Sequence, residues 1–219
     1  MYTNPFNEQK DPNEIRRFIN ENGFGILVST LAGKPWGTHI PLKLDQNEAD
    51  QEVLQGHIAR ANPQWRDLPD GSEVMAIFQG SHAYVSSAWY DHPNVPTWNY
   101  VAVHVYGTFR EVTGEELVQS LTKLTDKYES LRLSKLPDAE NQKRVTVAGL
   151  PPKLVKDDLR ALVGFEIKIT KIEANYKLSQ NRDATNHANI TQELSQQTDP
   201  SARQIAVLMQ ESFSKSTNQ

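Results

Sequence analysis

The sequence predicts an α+β protein, a small, mostly antiparallel barrel or sandwich of about six to seven strands with flanking helices. Two observations carry this. Short runs of alternating apolar residues, separated by turn residues, recur as far as Phe109 and again from Phe165. Helical spacing is gathered at the beginning, middle and end of the chain, so the strict β–α alternation of a doubly wound sheet is missing.

Asp11-Pro12-Asn13-Glu14 reads as a helix start, with Asp as cap, Pro at the first position and Glu close behind. Ile15, Phe18 and Ile19 give that helix its buried stripe, and Asn22-Gly23 ends it. A strand follows over Phe24–Leu31, then a turn at Gly33-Lys34. In the next strand Thr38, Ile40, Leu42 and Leu44 alternate with His39, Pro41 and Lys43. A third strand covers Val53–Ala59. Two more are expected at Val74–Phe78 and Ala83–Ser86, parted by a turn at Gln79-Gly80-Ser81.

A loop stiffened by Pro93 and Pro96 leads to the clearest strand, Trp98–Phe109. Trp98, Tyr100, Ala102, His104 and Tyr106 share one face, and Val101, Val103 and Val105 the other, a pattern that predicts burial on both sides. Thr113-Gly114-Glu115-Glu116 has the form of a capping box, followed by Leu117, Leu121 and Leu124 at helical spacing. The charged stretch Tyr128–Arg144 reads as a surface excursion. A helix over Pro152–Val163, closed by Gly164, precedes a last strand through Phe165, Ile167 and Ile169. The tail carries a helical stripe at Ile205, Leu208 and Met209.

At 219 residues one domain is expected. The organisation read from the chain is a body over 1–185 with an N-terminal helix and a helical insertion near 113–163, then a helical tail over 186–219. The net charge of -4 and pI near 5.9 argue against general attachment to nucleic acid, so direct DNA binding is doubtful. The absence of cysteine excludes disulfides, thiolate catalysis and Cys-ligated zinc or iron–sulfur clusters. MYTNPFNEQKDPNE lacks the basic head and apolar stretch of a signal peptide, and no run approaches the roughly 20 apolar residues of a membrane span. A cytoplasmic protein without a membrane partner is the expectation. Gly23-Phe24-Gly25 is only a fragment of a dinucleotide fingerprint and follows a helix, which rejects Rossmann binding.

Four segments are too polar for barrel wall. In Gly56-His57-Ile58-Ala59-Arg60-Ala61-Asn62-Pro63-Gln64-Trp65, the Arg60 fork suits a phosphate, although composition alone favours a surface arginine in a connecting loop beside a core Trp65. Tyr84–Tyr90 sets aromatics beside hydroxyls, as a planar heterocycle needs, and as a core Trp–Tyr pair with turn serines also would. Asn99, inside Pro96-Thr97-Trp98-Asn99-Tyr100, needs partners from the fold or a ligand. Lys177-Leu178-Ser179-Gln180-Asn181-Arg182 is dense in donors, and reads also as a solvated loop with Asp183 capping a helix. His39, His57 and His104 lie on strands and do not pair at metal-site spacings, so no metal is expected.

Taken together, these segments resemble the PaiB-type, FMN-binding negative transcriptional regulator family. The likeness runs from Met1-Tyr2 and Phe6 through GHIARANPQW, FQGSHAYVSSAWY, VPTWNYVAVHVYG, ALVGFEIKI and KLSQNR, most of residues 1–185. It implies an FMN-binding split β-barrel, related to pyridoxamine-phosphate oxidases and flavin reductases, and a homodimer with flavin at the subunit interface. It implies that Arg60 and Asn62 approach the FMN phosphate, with Thr38 and His39 nearby and His57 in the same segment. Ser86, Trp89 and Trp98 are then placed around the ring system, and Lys177, Ser179 and Gln180 close the site. Two departures stand out: Ser86-Ser87-Ala88 replaces the family's Ser-Pro-Ser, and Ala174-Asn175 replaces Gly-Lys.

Three functions follow from the resemblance. A flavin-dependent redox protein, such as a flavin reductase using NAD(P)H, comes first. A regulator acting through a ligand or partner comes second, and a haem-handling protein using His39, His57 or His104 third.

Overall fold

The computed structural model describes residues 1–47 and 49–216. Helix α1 (Pro12–Glu21) starts where Asp11 accepts the Asn13 amide and ends at Asn22, as its capping residues dictate. The strands are β1 (Phe24–Leu31), β2 (Lys34–Gln46), β3 (Glu52–Ala59), β4 (Glu73–Val85), β5 (Thr97–Val112) and β6 (Leu162–Lys177). Between and after them lie α2 (Gly114–Leu133), α3 (Pro152–Ala161), α4 (Ala184–Ser195) and α5 (Pro200–Ser216). The strand order β1-β2-β3-β6-β5-β4 closes into a barrel, which makes this the expected α+β split-barrel fold.

The chain divides into two compact bodies, and β4, β5 and β6 each contribute to both. The first comprises Met1–Asn22, Ile77–Val105 and Ile172–Gln219; the second comprises Gly23–Ala76 and Tyr106–Lys171.

In the second body β1 and β2 form a hairpin whose two-residue turn is Ala32-Gly33, with both residues left-handed (φ 49° and 76°). Strand β2 pairs antiparallel with β3, and β3 with β6, from Val53 opposite Lys168 to Ala59 opposite Leu162. Leu27, Leu42, Leu54, Ile58 and Phe165 fill the core, with Phe109 stacked on Phe165 at 5.4 Å. The first body packs Phe18 and Ile19 of α1 with Phe78, Val85, Val101 and Val103, and with Ile190, Leu194, Ile205 and Met209 of α4 and α5. The helical stripe of the tail is thus core.

Several expectations are corrected here. Gln79-Gly80-Ser81 is no turn, because β4 runs unbroken through it. A Cβ on Gly80 would lie 2.6 Å from the Phe18 ring, so this glycine admits a close approach. The capping box at Thr113 does not form, since Thr113 makes no capping bond and Glu116 instead receives the Arg110 guanidinium. Arg110 also donates to Glu166, which is nearly buried. Helix α2 continues to Leu133 through part of the supposed excursion, held there by Arg132 donating to Glu129 and to the Lys143 carbonyl. Helix α3 stops at Ala161, before Gly164, because Leu162 already pairs with Ala59 in the sheet. On β5 the Asn99, Val101, Val103 and Val105 face is buried, whereas the Trp98, Tyr100, His104 and Tyr106 face is half open. Aromatic rings with a polar tip read as apolar in sequence yet tolerate water.

Candidate functional site

The eleven residues singled out fall into two groups, one on each body.

On the second body, Thr38 and Asn62 bond to a single-turn helix over Pro63–Asp67, which Arg60 precedes in the chain, while His39 and His57 lie on β2 and β3. Asn62 caps that turn by accepting the Gln64 amide at 3.0 Å, and its Nδ2 donates to Thr38 Oγ1 at 2.9 Å. Thr38 Oγ1 donates in turn to Gln64 Oε1 at 2.6 Å and accepts from Trp36 Nε1 at 3.3 Å. Gln64 is fully buried, its Nε2 donating to Ser29 Oγ at 2.9 Å and to the Leu27 carbonyl at 3.3 Å. Thr38 and Asn62 are therefore fastened to β1 through a residue that sequence reasoning did not select.

Arg60 is exposed and spends Nε on the Arg160 carbonyl (2.9 Å) and Nη2 on the Leu162 carbonyl (2.8 Å). Its guanidinium lies 5.5 Å from the centre of the Trp65 ring, and Trp65 Nε1 donates to the Arg60 carbonyl at 3.0 Å. His39 is exposed and stacks on Phe24 at 6.4 Å. His57, half-buried on β3, is held below the ordinary histidine value by burial.

On the first body, Ser86 caps a short turn by accepting the Ala88 amide at 3.2 Å, and Trp89 lies half-buried in that turn. Trp98 is 52% exposed and meets Tyr84 edge-on at 5.9 Å, with His82 at 6.1 Å, forming an open aromatic surface. Ser179, left-handed at φ 61° and buried, pairs with the fully buried Asn99. The Asn99 amide donates to Ser179 Oγ at 3.0 Å, and that hydroxyl lies 3.2 Å from Asn99 Oδ1. Lys177 Nζ donates to Thr97 Oγ1. Gln180 folds onto its own strand end, accepting the Leu178 amide at 2.8 Å and donating to the Tyr176 carbonyl. Asn175 is buried and donates to the Tyr100 hydroxyl at 2.7 Å, so this departure from the family pattern is a packed position.

Chemically, the second body presents amide and guanidinium donors of the kind that an anionic oxygen group requires. Arg60 keeps three of its five N–H donors beyond the two bonds described. The donor set fits a phosphate monoester. Among the described residues no cluster of His, Asp and Glu could hold a metal ion, and no helix is long and apolar enough to cross a membrane.

A model of the family described as "Putative FMN-binding domain" matches residues 1–171. The chain is 41% identical over 215 residues to Protease synthase and sporulation protein PAI 2 of Bacillus subtilis, covering 98% of this chain and 99% of that protein. Among solved structures it resembles the FAD and heme binding protein of Mycobacterium smegmatis (TM-score 0.58, 15% identity, 83% of this chain and 78% of the other). It also resembles the flavocytochrome Anf3 of Azotobacter vinelandii (TM-score 0.52, 10% identity, 83% and 74%).

Proposed function

Because the chain belongs to the "Putative FMN-binding domain" family, we propose that it is a flavin-dependent redox protein that holds FMN by its phosphate on the second body. The observation that carries this reading is the braced network Trp36–Thr38–Asn62–Gln64, beside the donors left over on Arg60. An Asn62 amide fixed in advance by Thr38, itself held by a buried glutamine, recognises a phosphate at low entropic cost. Asn62 and Arg60 supply donors to the phosphate, and Thr38 orients Asn62. Bound FMN supplies two-electron redox chemistry with a donor such as NAD(P)H. The exposed Trp98 and Tyr84 rings of the first body form an aromatic surface consistent with a homodimer.

Visible absorption of the purified protein, titrated with FMN and separately with riboflavin, tests the assignment. Thr38→Val is expected to weaken FMN by about tenfold and to leave riboflavin nearly unchanged. Equal loss for both ligands sinks the phosphate role. Anaerobic addition of NADPH or NADH is then expected to bleach the bound flavin; flavin that stays oxidised with both removes the flavin-reductase reading.

A regulatory role is the second reading, supported by the 41% identity to a protein named for protease synthesis and sporulation. The net charge of -4 points to action through a ligand or protein partner, and tight sequence-specific DNA binding by the purified chain would overturn that route.

A further inference from the structure

A cavity of about 190 Å³ in the first body is lined by Lys177 and Ser179, which the resemblance places at the flavin site, and carries a charge pattern that the phosphate site proposed on the second body leaves unused. Its wall includes Lys177 and Arg182 together with Phe6, Val95, Pro96 and Asn181, and no Asp or Glu lines it.

Neither cation has a carboxylate partner among the described residues. Lys177 reaches only the neutral Thr97 hydroxyl, and Arg182 lies over the Tyr90 ring at 5.1 Å. Asp183, the next residue, is committed elsewhere: it caps α4, accepting the Asn186 backbone amide at 3.0 Å and the Asn186 side chain at 2.7 Å. Burial, and then the charge of Arg182, hold the Lys177 ammonium below the ordinary lysine value, as expected of a cation that lacks a counter-ion.

The wall is also fixed in shape. Ser179 lines the cavity with its backbone left-handed (φ 61°), and its side chain is locked to the buried Asn99. A strained non-glycine residue held by a buried polar pair is the kind of element that preorganises a ligand site. Around it Phe6 and Val95, each 70% exposed, and Pro96 expose apolar surface that the chain itself leaves uncovered.

We propose that this cavity binds a small carboxylate carried on an apolar body. The Arg182 fork takes the carboxylate, Lys177 adds the second positive charge, and Phe6, Val95 and Pro96 cover the apolar part. Inorganic phosphate is the poorer fit, because a strongly hydrated polyanion gains nothing from apolar walls. The inference stands independently of whether FMN turns over.

Isothermal titration of the full chain with benzoate, with and without saturating FMN, is the test. Benzoate is expected to bind in both conditions and to bind more tightly than inorganic phosphate. Arg182→Gln is expected to weaken benzoate by about tenfold while FMN affinity, read by absorption, is unchanged. Val95→Asp, an exposed substitution that threatens no packing, is expected to weaken benzoate similarly through repulsion. Absence of benzoate binding, or equal affinity in wild type and both variants, overturns the proposal. Tighter binding of phosphate overturns the carboxylate class. Displacement of benzoate by FMN assigns the cavity to the flavin and overturns a second ligand.

Discussion

Gln64 and Lys127 show how a single buried polar group can act in opposite directions. Gln64 has both ends of its amide used, so Gln64→Leu removes the acceptor of the Thr38 proton and the donor to the Ser29 hydroxyl. A loss of about 2–3 kcal/mol in urea unfolding is expected, together with weaker FMN binding. Lys127 is the reverse case. Its Nζ is buried without a hydrogen-bond partner, and burial, followed by the charge of Lys43, lowers its pKa from the ordinary 10.5. The folded state therefore binds this proton less tightly than the unfolded chain, and the protonated amine costs stability at neutral pH. That cost fades as pH rises from the lowered value through 10.5. Lys127→Met is expected to raise the melting temperature at neutral pH, with the gain shrinking in strongly alkaline buffer; a pH-independent gain would mean packing alone.

Among the elements, those built on periodicity were legible in the sequence, and those decided by a distant partner were not. Alternation around Thr38–Leu44 and Val101–Val105 announced two strands, and Asp11-Pro12 announced α1. Gly80 misled because glycine marks both turns and close approaches, and only the Phe18 ring tells them apart. Thr113 misled because Arg110 takes Glu116 from the cap. At the candidate site, the Asn62 cap was readable locally, whereas the burial of Gln64 depends on β1, more than thirty residues earlier. Gly80→Ala is expected to cost about 1–3 kcal/mol by forcing the Phe18 ring aside, measured by denaturant midpoint. Ala32 offers an improvement, since it holds φ 49° without the freedom of glycine. Ala32→Gly is expected to stabilise the β1–β2 hairpin by about 1 kcal/mol, and a loss would show that its turn relaxes in solution.

For the molecule as a whole, acid sensitivity should come from its histidines. Burial is the leading cause that holds His57, His104 and His187 below 6.5. Folded pKa values below the unfolded one mean that stability is fully present above 6.5 and declines as pH falls through the lowered values. Each group can contribute a slope of at most about 1.4 kcal/mol per pH unit. Chemical denaturation across mildly acidic pH is expected to show this decline, and His57→Gln to flatten it in part. The strand order has a consequence for biosynthesis. Because β6 lies between β3 and β5, the barrel cannot close until the chain through Lys177 has left the ribosome. Until then β3 waits with an unpaired edge, the kind of exposed template that chaperones shield and that aggregates otherwise. A nascent chain stalled ahead of Leu162 is therefore expected to depend on chaperones, and one stalled well after Lys177 to escape them.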